Sequence, residues 1–191
     1  MRWLLVAVPL FVAACTTAHA PRATAVEPML DDPLVGTQPK EWKAEEWLNT
    51  PPRKLADLRG NVVLVRWFMG TACPYCSATA ASLKQLQHDY ASRGLVVVGM
   101  YHHKDEEPLS RELVESYVRD YGFTFPIGID RDWRTLRSWW LTKQRDFTSV
   151  TFILDKQGRI RAVHQGGRYA PGEPEYEAVR RAVARLVDEP G

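Results

Sequence analysis

Cysteine is scarce in this chain: three in 191 residues, at Cys15, Cys73 and Cys76. A structural zinc site takes four ligands, usually as two spaced pairs. No second C-x-x-C and no H-x3-5-H follows Cys76, so the chain offers at most half of one. Charge of one sign is also missing. The net charge is only +2, and Arg180, Arg181 and Arg185 alternate with Glu175, Glu177 and Asp188, which reads as a solvated helix face. No nucleic-acid partner is expected. There are no internal repeats, and no apolar run after residue 20 is long enough to cross a bilayer.

What is present begins with a targeting segment. Arg2 precedes an apolar stretch over residues 3–14, which is too short for a membrane span and suited to the apolar region of a signal peptide. Two cleavage sites compete within residues 1–20. Val12-Ala13-Ala14-Cys15 resembles a bacterial lipobox, which would make Cys15 the lipidated first residue of the mature protein. Ala18-His19-Ala20 resembles an ordinary A-x-A site, which would discard Cys15. The lipobox is the preferred reading. Either way the protein is expected to be exported to the periplasm, touching a membrane only through that lipid. Residues 21–39, rich in Pro, Ala, Thr and Asp, read as a flexible tether, and residues 40–191 as one domain. The full chain's 45% apolar and 25% charged residues suffice for a proper core.

The chemistry concentrates at Cys73-Pro74-Tyr75-Cys76. The apolar run Val62-Val63-Leu64-Val65 before it reads as a buried strand. Leu83, Leu86 and Tyr90 after it share one helical face. A cysteine at a helix start meets unpaired N–H groups and the positive end of the helix dipole, and both favour its thiolate. Pro74 suits the first turn, where its missing N–H leaves no bond unmade. A C-x-x-C at a strand-to-helix junction is the sequence sign of a redox centre. Two incidental core cysteines are the plain alternative.

The rest of the chain alternates in kind. Residues 42–48 are expected to give a peripheral strand. The helix from Pro74 should run to about Ser92 and stop at Gly94, and 95–101 should form a second buried strand, completing a parallel βαβ unit. A helix is expected from Pro108 to Gly122 with Leu109, Leu113 and Tyr117 on one face, and a short helix over 130–141 carrying Trp133, Leu136, Trp139 and Trp140. A hairpin of 150–154 and 160–164 turns at Asp155-Lys156-Gln157-Gly158, and an amphipathic helix over 175–187 closes the chain. This order argues for an α/β sandwich with a mixed central sheet.

Taken together, several stretches resemble the thioredoxin superfamily, and within it the extracytoplasmic TlpA/ResA-like branch, the AhpC/TSA–redoxin group. They are Leu58-Arg59-Gly60-Asn61-Val62-Val63-Leu64-Val65, Arg93-Gly94-Leu95-Val96-Val97-Val98-Gly99, Phe125-Pro126-Ile127 with Asp130, and Thr151-Phe152-Ile153-Leu154-Asp155 with Gly158-Arg159-Ile160-Arg161. The resemblance spans about residues 50–187. It implies a three-layer sandwich with helices on both faces of the mixed sheet, and thiol–disulfide exchange with protein substrates. Cys73 would be the exposed nucleophile and Cys76 the more buried resolving thiol. The redox-active Cys73–Cys76 disulfide would serve in place of a separate cofactor. The implied partners are protein disulfides or dithiols and a membrane or periplasmic redox protein, and the implied state is a monomer.

The chain departs from that pattern at three places. The proline that the family places opposite the C-x-x-C is missing, and the matching position is Ser149 or close to it, in a peptide expected to be trans. The buried acid on the preceding strand has no counterpart, since Arg66 and Trp67 occupy that region. Arg66 would favour a Cys73 thiolate if it pointed inward, and would do nothing if it pointed to solvent. Ala72 stands where a tryptophan is usual. The Ser149 N–H and hydroxyl are expected to donate to Cys73. His102, His103 and His164, at the ends of two predicted strands, could join the cysteines in a copper- or other metal-chaperone site, or shuttle a proton, or simply be loop residues. A peroxiredoxin-like peroxidase is a further alternative. That pattern wants Thr or Ser three residues before the cysteine, whereas Gly70 is there and Thr71 follows it.

Overall fold

A computed structural model of the chain describes residues 30–191. The export signal, both cleavage sites and Cys15 lie outside the described residues. The core is built on β2 (Val62–Phe68), all seven residues of which are buried. Apart from Arg66, valine, leucine and aromatic side chains leave this strand apolar on both faces, which suits the centre of a sheet covered on both sides. It pairs in parallel with β3 (Leu95–Tyr101) and antiparallel with β5 (Val150–Leu154). With β1 (Glu46–Leu48), β4 (Ile127–Ile129) and β6 (Ile160–Gln165) the sheet order is β1-β4-β3-β2-β5-β6. The mixed sheet, the parallel βαβ unit and the closing hairpin match the sequence expectation. Among the described residues no helix is long and apolar enough to cross a membrane.

One face of the sheet carries α1 (Pro74–Tyr90), α2 (Arg111–Tyr121) and α4 (Pro174–Asp188), packed through Leu83, Leu86, Val114, Val118, Val179 and Val183. The other is covered by α3 (Arg134–Trp139) and the segment around Trp42, Trp47, Leu55 and Leu58. Gly94, at φ +90, ends the turn after α1, where a side chain would be strained.

Three expectations need correcting. The second helix starts at Arg111, capped by the Ser110 hydroxyl accepting from Leu113 N–H at 3.1 Å. Its buried face is Val114, Val118 and Tyr121 rather than Leu109, Leu113 and Tyr117, one position round the helix. The third helix is shorter than 130–141. Asp132 and Trp133 adopt positive φ, and the buried Asp130 carboxylate spans that kink to accept from Thr135 N–H at 2.7 Å and Leu136 N–H at 2.9 Å. Trp139 and Trp140 are core.

The third concerns the tether. Residues 30–37 do not float. Asp32 is buried, pairs with Arg145 at 3.1 Å and accepts from Gln165 Nε2 at 3.0 Å. Gly36 N–H donates to Ile160 O at 2.7 Å, and Ile160 N–H donates to Thr37 O at 2.9 Å. A short apolar Leu34-Val35 pair packs on the second core cluster. The domain therefore begins earlier than residue 40.

Candidate functional site

The end of β2 feeds a short loop, Met69 to Ala72, into α1. Tyr121 Oη donates to Gly70 O at 2.9 Å, and Cys73 N–H closes a turn back to Gly70 O at 3.0 Å. Cys73 is the N-cap residue, in extended conformation, and its Sγ accepts from Cys76 N–H at 3.2 Å. Pro74 opens the helix, as expected of a residue without an N–H to satisfy. Cys73 and Cys76 form a disulfide, with Cα atoms 5.3 Å apart. One helical turn brings the two thiols within bonding reach, so opening or closing the bond leaves the helix intact. The expected contrast in exposure is small, because both cysteines are buried, at 8% and 5%. Tyr75 between them is the exposed member, at 55%.

The loop after β6 is stapled onto the start of α1. Thr79 Oγ1 lies 2.8 Å from Tyr75 O and 2.9 Å from Gly167 O, so its one proton is shared between the two carbonyls. Ser82 Oγ donates to Tyr169 O at 2.8 Å. Gly167 lies so close that a Cβ there would stand 2.6 Å from Tyr75 Cβ. The adjacent Gly166-Gly167 pair was the only sequence signal for this approach.

Under that loop lies Arg66, which points inward and is 1% exposed. The solvent-facing alternative does not hold. Strand register places Arg66, Thr151 and His164 in one row across β2, β5 and β6. The guanidinium donates to Thr151 Oγ1 at 3.3 Å, to Gly166 O at 3.1 Å and to Gly167 O at 2.8 Å. It also lies over the Tyr169 ring, 5.8 Å from the centroid. Burial pulls its pKa down, yet an arginine stays charged at neutral pH.

The three histidines are not gathered. His102 is buried against Trp133 on the α3 face, with Nε2 2.9 Å from Thr148 Oγ1. His103 is engaged by Tyr101 Oη at 3.0 Å and Glu107 O at 2.6 Å. His164 sits by Tyr169 on the α1 face. Among the described residues no group of His, Cys, Asp or Glu is arranged to hold a metal ion. Burial, the largest cause, pushes His102 down to about 3 and His164 down to about 4, and the Arg66 charge helps in both cases. Both rings are therefore neutral at physiological pH.

Ser149 lies just before β5, and its carbonyl accepts from Gly166 N–H at 3.0 Å. The peptide before it is trans, as expected without proline. In the disulfide form it makes no hydrogen bond to either sulfur among the described residues.

Comparison with known proteins bears on the same region. The profile of the family described as Redoxin matches residues 48–179. A relative named thiol-disulfide oxidoreductase ResA, from Halalkalibacterium halodurans, is 26% identical over 114 residues, covering 60% of this chain and 59% of that protein. A candidate peroxiredoxin of Mycobacterium tuberculosis is 27% identical over 114 residues, covering 56% of this chain and 69% of the other. The chain thus spans 59% of the length of the ResA protein it matches. A crystal structure of a thioredoxin-like superfamily protein superimposes with a TM-score of 0.66 at 23% identity, covering 81% of this chain and 98% of that one. That likeness shows the fold: a thioredoxin-like α/β sandwich.

Proposed function

From the premise that the chain belongs to the redoxin family, we propose that it is an extracytoplasmic thiol–disulfide oxidoreductase acting on protein substrates. The observation that carries this reading is the Cys73–Cys76 disulfide at the start of α1, inside the matched region. The names of the ResA relatives support the same activity. In the reductive direction the Cys73 thiolate attacks one sulfur of a substrate disulfide, forming a mixed disulfide and releasing the other sulfur as a thiolate. The Cys76 thiolate then attacks Cys73 Sγ. This closes Cys73–Cys76 and releases the second substrate sulfur, two electrons having passed to the substrate. The same steps run backwards to oxidise a dithiol. The Cys76 N–H aimed at Cys73 Sγ and the helix dipole both favour a thiolate there. Ser149 marks the strand end where an extended substrate could add to the sheet.

Exchange with glutathione disulfide tests this. Cys73→Ser should abolish exchange. Cys76→Ala should accumulate mixed disulfides that are stable until a reductant is added. Exchange surviving in Cys73→Ser would refute the assignment.

A thiol peroxidase is the second reading, supported by the similarity to the candidate peroxiredoxin. Hydrogen peroxide consumption by the reduced protein, faster than its exchange with disulfides, would favour it. The Cys15 lipobox carries the location. Membrane-pelleted protein should move to the soluble fraction in Cys15→Ala, and an unchanged distribution would argue for A-x-A cleavage.

A further inference from the structure

Arg66 is a buried cation with no anion paired to it among the described residues. Its guanidinium is enclosed by β2, β5 and the loop after β6, and its bonded partners are Thr151 Oγ1 and the carbonyls of Gly166 and Gly167. It forms no ion pair among the described residues. Its Nε has no hydrogen-bond partner among the described residues. The titratable groups on its face are Tyr169, held at high pKa chiefly by burial, and His164, which is neutral; His102, also neutral, lies on the opposite face of the sheet. Asp105, the carboxylate beside Gly70, is engaged by Tyr117 Oη at 3.0 Å instead. Carbonyl dipoles solvate such a charge but do not cancel it, and its field reaches further in a dry interior than in water.

The loop that holds Arg66 also touches the C-x-x-C turn. Gly167 O accepts from Arg66 at 2.8 Å and is reached by Thr79 Oγ1 at 2.9 Å, and the same hydroxyl reaches Tyr75 O between the two cysteines. Arg66 and the cysteines share one face of the sheet, since Leu64, Phe68, Cys73 and Cys76 belong to one core cluster. A disulfide carries no charge, whereas a reduced pair carries a thiolate. A fixed cation therefore acts on one redox state and not on the other.

We propose that Arg66 sets the redox poise of the Cys73–Cys76 pair, favouring the reduced, thiolate-bearing form and so making the disulfide a stronger oxidant. With glutathione, the disulfide and two thiols give one glutathione disulfide, one protein thiolate, one protein thiol and a proton. Arg66 lowers the energy of the thiolate product. The inference rests on the exchange reading above, and it names the residue that decides which direction is favoured.

Equilibration with glutathione buffers at pH 7 tests it. Arg66→Met should lower the equilibrium constant for reduction at least tenfold, about 30 mV more negative. Arg66→Lys keeps the charge but loses the planar fork, and should stay within threefold of the unsubstituted protein. Arg66→Gln, neutral but able to donate to Gly167 O, takes the place of Arg66→Met if that variant does not fold, and should fall like it. Melting of both redox forms separates poise from scaffolding. Loss of a purely structural contact lowers both midpoints equally, whereas loss of this cation lowers that of the reduced form more. A potential unmoved in the neutral variants, or Lys falling as far as Met, overturns the proposal. If the unsubstituted disulfide does not equilibrate with glutathione at all, the exchange reading fails instead.

Discussion

His102 and His164 fix how the folded chain answers to acid. Each is buried, each has a ring Nδ1 without a hydrogen-bond partner among the described residues, and each is held well below its ordinary pKa. An unfolded chain takes up protons at both rings as pH drops through about 6.5. The folded protein resists until about 3 for His102 and about 4 for His164. Between those limits the unfolded state binds more protons, so folding stability falls as pH falls, by about 1.4 kcal/mol per pH unit for each ring. Above pH 7 neither contributes a slope. Urea unfolding of the disulfide form at pH 7, 5.5 and 4.5 should show the midpoint dropping across the series. His102→Gln should remove about half of that slope. A midpoint constant from pH 7 to 4.5 would show that the rings charge without cost. Burial is the larger cause in both rings, and the Arg66 charge adds to it.

At the scale of elements, the important join is between α1 and the loop after β6. Gly167 has ordinary backbone angles, so its need for glycine is one of space rather than of φ. Gly167→Ala places a methyl 2.6 Å from Tyr75 Cβ, where neither backbone can give way freely. The expected cost is about 1–3 kcal/mol, read as a lower melting temperature, together with slower exchange because Tyr75 and the first turn are displaced. An unchanged melting temperature would mean the loop simply shifts aside. This join was not legible in the sequence, because Thr79 and Gly167 are 88 residues apart and their bond leaves no periodic trace. By contrast α1, β2, β3 and the hairpin were legible, since each is stated by local apolar spacing and by Pro74, Gly94 or Gly158 at its ends. The second helix was started three residues early because Pro108 resembled its first residue, while the Ser110 hydroxyl does the capping. The inward turn of Arg66 was undecidable from sequence, since a strand end can present arginine to either side.

At the scale of the whole molecule, the layers were legible in the sequence and the start of the domain was not. Composition alone made residues 30–37 look like tether, because Pro, Asp, Gly and Thr are common to linkers and to tightly bonded turns. What marks this segment as structure is Asp32, buried and held by Arg145 and Gln165. Gly36 and Thr37 then exchange backbone hydrogen bonds with Ile160, the first residue of β6, which is the last strand of the sheet. An outermost strand otherwise offers free N–H and C=O groups to any extended chain it meets, including another copy of itself. The opposite margin, β1, is only three residues long and offers little to pair with. By lying along the start of β6, the segment that looked like a mere leash takes up the outward N–H and C=O of Ile160, so that this end of the open edge is closed to another extended chain.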